Sequence, residues 1–138
     1  MADIFGTGGN DTLTGTPDAD FIRGLNGNDV FFGGDGDDVM EGGEGLDSFT
    51  GGQGNDYING RYGNNDVANF AGSRADYAIS YIMINGLTHA RVTGLGAFAY
   101  EGVDTMINVE YLQFADIRVS IGINPNNRPV LGDRKSVV

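Results

Sequence analysis

A nine-residue repeat fills the first half of this sequence and limits how the chain can fold. Seven tandem copies begin at glycines nine residues apart, from Gly6 to Gly60. The copy Gly33–Glu41 shows the pattern, with glycine at the first, second and fourth positions, aspartate at the sixth and an apolar residue at the eighth. A fixed short period of this kind indicates a stacked repeat architecture.

The sixth and eighth positions carry the chemistry and the packing of each copy. The eighth always holds an apolar residue: Leu13, Ile22, Phe31, Met40, Phe49, Ile58 and Val67. The sixth holds Asp11, Asp20, Asp29, Asp38, Asp47 and Asp56, then Asn65, with Asp66 one place late. One apolar residue per copy is too sparse for the buried face of a helix. We therefore predict that each copy forms a turn followed by a short strand whose middle side chain points inward.

Two copies complete one turn of a parallel coil, so residues two copies apart stack at about the 4.8 Å spacing of neighbouring strands. This stacking predicts two ladders of aspartates. The first ladder contains Asp11, Asp29 and Asp47, and the second contains Asp20, Asp38 and Asp56. Stacked like charges disfavour folding unless cations lie between them. Because the turns offer only carboxylate and carbonyl oxygens in flexible geometry, the expected cation is calcium.

The copies resemble the G-G-x-G-x-D-x-U-x nonapeptide of the RTX (repeats-in-toxin) family, a pattern already known as a calcium-binding repeat. The resemblance covers Gly6 to Ala68. It implies an all-β fold, a parallel β-roll, in which stacked turns share ligands. One turn gives the carbonyls of its second and fourth residues and its aspartate, and the turn two copies later gives its first and third carbonyls and its aspartate.

Mapped onto this sequence, the resemblance implies four to five calcium ions and the following ligands. Four sets join Thr7, Gly9 and Asp11 to Gly24, Asn26 and Asp29; Thr16, Asp18 and Asp20 to Gly33, Asp35 and Asp38; Leu25, Gly27 and Asp29 to Gly42, Glu44 and Asp47; and Gly34, Gly36 and Asp38 to Gly51, Gln53 and Asp56. A fifth set joins Gly43, Gly45 and Asp47 to Gly60, Tyr62 and either Asn65 or Asp66.

The negative charge of the chain is concentrated in the repeats. The formal net charge is −11, and residues 1–68 carry all of it, because acidic and basic residues balance in the remainder. This imbalance disfavours nucleic acid as a partner. Cysteine is absent, so no disulfides support the fold. No apolar run is long enough to span a membrane, and no signal-peptide pattern opens the sequence.

Residues 69–121 do not follow the nine-residue repeat and are predicted to form a β-rich cap on the roll. Asn85-Gly86 is a strong hairpin turn between Tyr77–Ile84 and Thr88–Thr93. Three further segments are expected to be ordered: a strand at Ala97–Tyr100, a short helix or an alternating strand at Ile107–Leu112, and a strand at Ile117–Ile121. Residues 122–138 contain two X-Pro pairs and few large apolar residues, so we predict a linker or tail.

Glu101 to Asp116 resembles a D-G-x-D-T-L-x-N-V-E-x-L-x-F-A-D segment found downstream of RTX repeats, which supports the assignment as a cap. Its acidic residues, with Glu101, Asp104, Glu110 and Asp116 as candidates, leave three roles open: a carboxylate pair for glycosidic or epimerase chemistry, turn hydrogen bonds, or one extra calcium. His89 has no second histidine or cysteine to form a metal set, so we expect it to be structural.

The resemblance implies a non-enzymatic, monomeric calcium-binding module of a larger secreted bacterial protein. Such proteins leave the cell through type I secretion machinery, and the repeats would fold only on meeting extracellular calcium. Two alternatives remain open: an accessory module of a polysaccharide-acting enzyme, and an adhesin or other ligand-binding surface. Either would add a glycan or neighbouring domains as partners, with five tyrosines as a sugar platform or as core: Tyr62, Tyr77, Tyr81, Tyr100 and Tyr111.

Overall fold

A computed structural model describes residues 1–63 and 65–121 of the chain as an all-β fold. The repeats supply β1 (Asp3–Phe5), β2 (Thr12–Thr14), β3 (Phe21–Leu25), β4 (Val30–Gly34), β5 (Val39–Gly43), β6 (Ser48–Gly52), β7 (Tyr57–Asn59) and β8 (Val67–Asn69). The following segment supplies a 3-10 helix (Arg74–Asp76), β9 (Tyr77–Ile84), β10 (Leu87–Gly94), a second 3-10 helix (Gly96–Glu101), β11 (Val103–Ile107), β12 (Tyr111–Gln113) and β13 (Arg118–Ser120). The predicted tail, 122–138, lies outside the described residues.

Strands of successive copies alternate between two facing sheets. Within the described residues one sheet has the order β1-β3-β5-β7-β11-β10-β9, and the other has the order β13-β12-β8-β6-β4-β2. Strands two copies apart pair in parallel, with Ile22 opposite Met40 in one sheet and Phe31 opposite Phe49 in the other. The predicted parallel β-roll is therefore confirmed.

The inward side chains of the copies form the core between the sheets. The predicted apolar residues of the first six copies are all buried, and the rings of Phe31 and Phe49 stack with centroids 4.6 Å apart. The seventh copy differs, because Phe49 pairs with Ala68 and Ser48 pairs with Val67. Ala68 is buried and Val67 is only half-buried, so the prediction that Val67 is the inward residue is wrong. One extra residue in this copy shifts the register.

The segment after the repeats continues both sheets. β11 pairs in parallel with β7, which places Met106 beside Ile58, and β12 pairs in parallel with β8, which places Leu112 beside Ala68. Met106 and Leu112 are buried like the inward residues below them. The hairpin β9–β10 then adds to β11 in antiparallel fashion, and β13 adds to β12. The chain therefore forms a further coil on top of the repeats and borders it with antiparallel strands.

The predictions for the individual cap elements have mixed outcomes. The hairpin is confirmed, with Asn85 and Gly86 at φ values of 52° and 78° that suit its two-residue turn. The strand at 117–121 is confirmed by β13. The strand predicted at 97–100 is wrong, because this stretch lies in the second 3-10 helix. The continuous helix or strand predicted over 107–112 is also wrong, since a turn at Asn108, with φ of 59°, separates β11 from β12.

Aromatic side chains close the core at the cap. Phe70, Tyr77 and Phe114 pack together with ring centroids 5.2 to 5.5 Å apart, and Phe98 lies 5.9 Å from Tyr77. The Tyr77 hydroxyl accepts the N–H of Gly72 and donates to Glu101. Tyr77 is therefore a core residue. Tyr62 and Tyr100 are exposed, whereas the ring of Tyr81 packs against the core and Tyr111 is half-buried.

His89 is buried on β10, where its Nε2 lies 3.0 Å from the Tyr57 hydroxyl and its Nδ1 lies 2.9 Å from the carbonyl oxygen of Leu87. Both ring nitrogens thus have partners within the protein.

The part of the chain that the structure describes holds no helix with the length and apolar character needed to cross a bilayer.

Candidate metal centre

The aspartates of the repeats stack in the two ladders predicted from the period. From Asp29 onward, each accepts through Oδ1 the backbone N–H of the aspartate one coil nearer the N-terminus. In the first ladder Asp11 donates to Asp29 at 2.8 Å and Asp29 to Asp47 at 2.9 Å. In the second ladder Asp20 donates to Asp38 at 2.8 Å and Asp38 to Asp56 at 2.9 Å. One carboxylate oxygen of each aspartate from Asp29 onward thus holds neighbouring coils in register.

The second carboxylate oxygen has no partner in five of these residues. It is Oδ2, buried and without a hydrogen bond, in Asp29, Asp38, Asp47, Asp56 and Asp66. This oxygen points over the first glycine of its own turn, where a Cβ on Gly33 would overlap Oδ2 of Asp38. An unpaired buried carboxylate oxygen is costly, so five turns each present a site that a cation would satisfy.

Burial makes ionisation of these carboxylates unfavourable in the metal-free protein. It raises the pKa of Asp38 and Asp47 to about 6 and that of Asp66 to about 7. The pKa values of Asp29 and Asp56 are raised for the same reason. A divalent ion beside each oxygen would reverse this trend, because an opposite charge favours the ionised form.

The seventh copy places Asp66, rather than Asn65, in the first ladder. Asp47 donates its N–H to Oδ1 of Asp66 at 2.8 Å, and Asp66 has the unpaired Oδ2. Asn65 has a φ of 70° and belongs to the turn. Of the two residues considered for the fifth set, Asp66 therefore has the same bonded Oδ1 and unpaired Oδ2 as Asp29 and Asp47.

The turns that carry the predicted carbonyl ligands are stacked in register, with Leu25 opposite Gly43 and Gly34 opposite Gly52. Several of these carbonyls already accept a backbone N–H: Leu25 from Glu44 at 3.0 Å, Gly34 from Gln53 at 3.1 Å, and Gly43 from Tyr62 at 3.2 Å. A carbonyl oxygen has two lone pairs, so such a bond leaves it able to bind a cation.

Two residues of the cap end the ladders. Asp104 accepts the N–H of Asp56 through Oδ1 at 2.9 Å, and Glu110 accepts the N–H of Asp66 through Oε1 at 2.9 Å. This role was not predicted from the sequence. A signal was present, because Asp104 precedes the inward Met106 by two residues, as every ladder aspartate precedes its own inward residue, and Glu110 stands in the same way before Leu112.

The other two acidic residues considered in the cap bind elsewhere. Asp116 accepts the backbone N–H of Arg74 at 2.9 Å, and Glu101 accepts the hydroxyl of Tyr77. All four cap carboxylates, those of Glu101, Asp104, Glu110 and Asp116, therefore accept hydrogen bonds, which is one of the three roles considered for them.

Further side-chain hydrogen bonds, which were not predicted from the sequence, run beside both aspartate ladders at the fifth position of the repeat. Asn28 donates its N–H to Oδ1 of Asn10 at 2.8 Å, and Asn55 donates to Oδ1 of Asp37 at 2.8 Å. Oδ1 of Asn55 then accepts the N–H of Val103 in the cap at 2.8 Å. The signal was an Asn or Asp at this position of the sequence in copies one, three, four, six and seven.

The donor set favours calcium. Within residues 1–63 and 65–121, no three His, Cys, Asp or Glu side chains gather at one point, so each site would combine a stacked pair of carboxylates with backbone carbonyls. Such an all-oxygen set with few charges suits calcium and lacks the nitrogen and sulfur ligands that zinc prefers.

Comparison with known proteins agrees with this geometry. The sequence model of the family described as the RTX calcium-binding nonapeptide repeat matches residues 5–40 and 41–68 of the chain. A search of curated proteins found no match to the chain. Across residues 5–68 the chain therefore consists of RTX calcium-binding nonapeptide repeats, folded as a β-roll.

Proposed function

We propose that this chain is a calcium-binding module of a larger secreted bacterial protein, and that it folds on meeting calcium after export by a type I system. The observation that carries the proposal is the set of five buried, unpaired carboxylate oxygens, one on each ladder aspartate from Asp29 to Asp66. Each marks one site between its own turn and the turn two copies earlier.

The five proposed sites pair the aspartates along the two ladders: Asp11 with Asp29, Asp20 with Asp38, Asp29 with Asp47, Asp38 with Asp56, and Asp47 with Asp66. The carbonyl ligands are those expected from the RTX resemblance. Asp29, Asp38 and Asp47 serve two sites each. Five calcium ions would carry a charge of +10 against the −11 of the repeats, which accounts for the concentration of acidic residues there.

The free energy of binding is large enough to decide folding. At a Kd of about 0.1 mM, typical of extracellular modules, and calcium at about 1 mM, each site contributes roughly 1.4 kcal/mol. Five sites contribute about 7 kcal/mol, which is comparable to the whole stability of a typical domain. In a cytosol poor in calcium the same sites leave buried, repelling carboxylates. This difference supports an unfolded chain before export and a folded one outside the cell.

Calcium titration of the full chain tests the proposal. We expect circular dichroism to change from a disordered to a β-rich spectrum as calcium is added, calorimetry to count five ions, and magnesium at equal concentration not to replace calcium. A spectrum that is the same in chelator and in millimolar calcium would contradict the proposal.

A second candidate function is the binding of a glycan on the outside of the roll. Arg23 and Arg61, the two basic residues of the repeats, both contact Glu41, at 2.7 and 3.6 Å. With the exposed ring of Tyr62 they line a groove of about 290 Å³, close to the lower end of ligand pockets, roughly 300 Å³. Glycan-array binding that is lost in Tyr62→Ala would support this function, and absence of binding by the calcium-loaded protein would exclude it.

A further inference from the structure

The two copies nearest the N-terminus differ from the other five at the second position of the turn. They carry Thr7 and Thr16, and the later copies carry Leu25, Gly34, Gly43, Gly52 and Arg61. All five of the later residues have positive φ, between 66° and 98°, whereas neither threonine is among the described residues with positive φ. The backbone of the turn therefore has two forms in this protein.

The two forms correspond one to one with the state of the ladder carboxylate. Every turn with a positive φ at its second position has an aspartate whose Oδ2 is buried and unpaired. The two turns with threonine have aspartates whose Oδ2 is fully bonded. Thr7 donates its N–H to Oδ2 of Asp11 at 2.6 Å, and Thr16 donates to Oδ2 of Asp20 at 2.5 Å.

The threonine hydroxyl adds to this closure. Oγ1 of Thr7 lies 3.1 and 3.0 Å from the two carboxylate oxygens of Asp11, and Oγ1 of Thr16 lies 2.9 and 2.8 Å from those of Asp20. Each hydroxyl oxygen in turn accepts a backbone N–H from two residues further on, Gly9 or Asp18, at 3.1 Å. The carboxylate that faces an ion in later turns here faces two hydrogen-bond donors.

We propose that Thr7 and Thr16 take the place of a calcium ion on the N-terminal side of Asp11 and Asp20, and so end the metal array at that side. The inference rests on the proposed calcium sites. A β-branched residue disfavours positive φ, and the threonine hydroxyl holds the resulting turn form, in which the threonine N–H meets the carboxylate. The oxygen that would bind an ion is then surrounded by donors, whose positive ends repel a cation.

The proposal predicts that one substitution can close an interior site. Copy three reads Gly-Leu-Asn-Gly-Asn-Asp from Gly24, and copy one reads Gly-Thr-Gly-Gly-Asn-Asp from Gly6. Leu25→Thr therefore gives copy three the threonine turn. Its hydroxyl and N–H would occupy Oδ2 of Asp29, which we assign to the ion between Asp11 and Asp29. Leu25→Val is the matched control, because valine has the same branched shape but no hydroxyl to hold the closed turn.

The experiment counts bound calcium in the full chain by calorimetry at saturating calcium. We expect five ions in the unchanged protein, five in Leu25→Val with a raised midpoint, and four in Leu25→Thr. Equal counts in the two variants, while the unchanged protein binds five, would overturn the role of threonine and leave the calcium sites standing. An unchanged protein that binds no calcium would instead refute the proposed function.

A second pair of variants keeps the inference testable if both Leu25 variants fail to fold. Thr7→Val and Thr16→Val remove only the hydroxyls, and Thr12→Val, at an exposed position of β2, is the control. We expect five ions in all three, with amide hydrogen exchange about tenfold faster at Gly9 and Asp18 in the first two. Unchanged exchange at these amides, or the loss of an ion, would overturn the inference.

Discussion

Asp47 donates its backbone N–H to Oδ1 of Asp66 at 2.8 Å across nineteen residues of sequence, whereas the ladder aspartates below are eighteen residues apart. The extra residue of the seventh copy is therefore accommodated in its turn, and the carboxylate keeps its place in the ladder. The same shift brings Ala68 rather than Val67 into the core. A one-residue insertion thus preserves the stacked pair on which the fifth proposed site depends.

The first prediction distinguishes the two candidates for that site. Asp66→Asn should reduce the number of calcium ions from five to four, because it removes the charge from the unpaired oxygen. Asn65→Gly should leave five, since glycine readily adopts the positive φ of this residue. Calorimetric ion counts of the two variants decide between them, and a loss of calcium in Asn65→Gly alone would show that Asn65 is the ligand.

The second prediction concerns ligand sharing along one ladder. Asp38 belongs to two proposed sites and Asp20 to one, although both are buried on the same edge of the roll. Asp38→Asn should therefore remove two ions and raise the calcium midpoint several-fold more than Asp20→Asn, which should remove one. The measurement is a calcium titration of both variants at one ionic strength, because screening alters the charge contribution. Equal midpoints would argue against shared ligands.

The third prediction tests whether the cap must be folded for calcium to order the repeats. Leu112 is fully buried beside Ala68, so Leu112→Asp places an unpaired charge in the core at the junction. The substitution should cost several kcal/mol, at least about 3, and shift the calcium midpoint of folding upward or abolish folding. Ile117→Asp, at a position that is half exposed, is the control and should fold like the unchanged protein. Calcium titrations that coincide for the two variants would show that the repeats fold without the cap.

The fourth prediction is a pH dependence. In the metal-free fold, burial raises the pKa of Asp38 and Asp47 to about 6 and that of Asp66 to about 7, from an ordinary value of 3.8. The folded state therefore takes up protons before the unfolded state does as the pH falls from about 7 toward 4, and the metal-free fold gains stability over that range. Protons and calcium compete for the same oxygens, so the calcium midpoint should rise between pH 7.5 and pH 5.5. A midpoint that is constant over this range would contradict the prediction.

The repeat by itself determined the main architecture and the kind of site. A nine-residue period with one inward residue per copy leaves the parallel roll as the consistent arrangement, and the period alone places Asp29 over Asp11 and Asp38 over Asp20. These relations follow from repetition, because each copy has nearly the same structure as the next. The order of residues within one copy is therefore enough to infer them.

The tertiary structure decided the features that depend on pairing between distant segments. Asp104 and Glu110 end the ladders because β11 and β12 pair with β7 and β8, which brings together residues 44 to 48 positions apart in sequence. The spacing of Asp104 and Glu110 from their inward residues is a local signal, but it does not show which strands β11 and β12 join. The stretch 97–100 was predicted to be a strand but lies in a 3-10 helix, where Phe98 packs against Tyr77. Burial against a partner strand or ring, rather than the propensity of the segment itself, sets the outcome at these positions, because most of their stabilising contacts come from elsewhere in the chain.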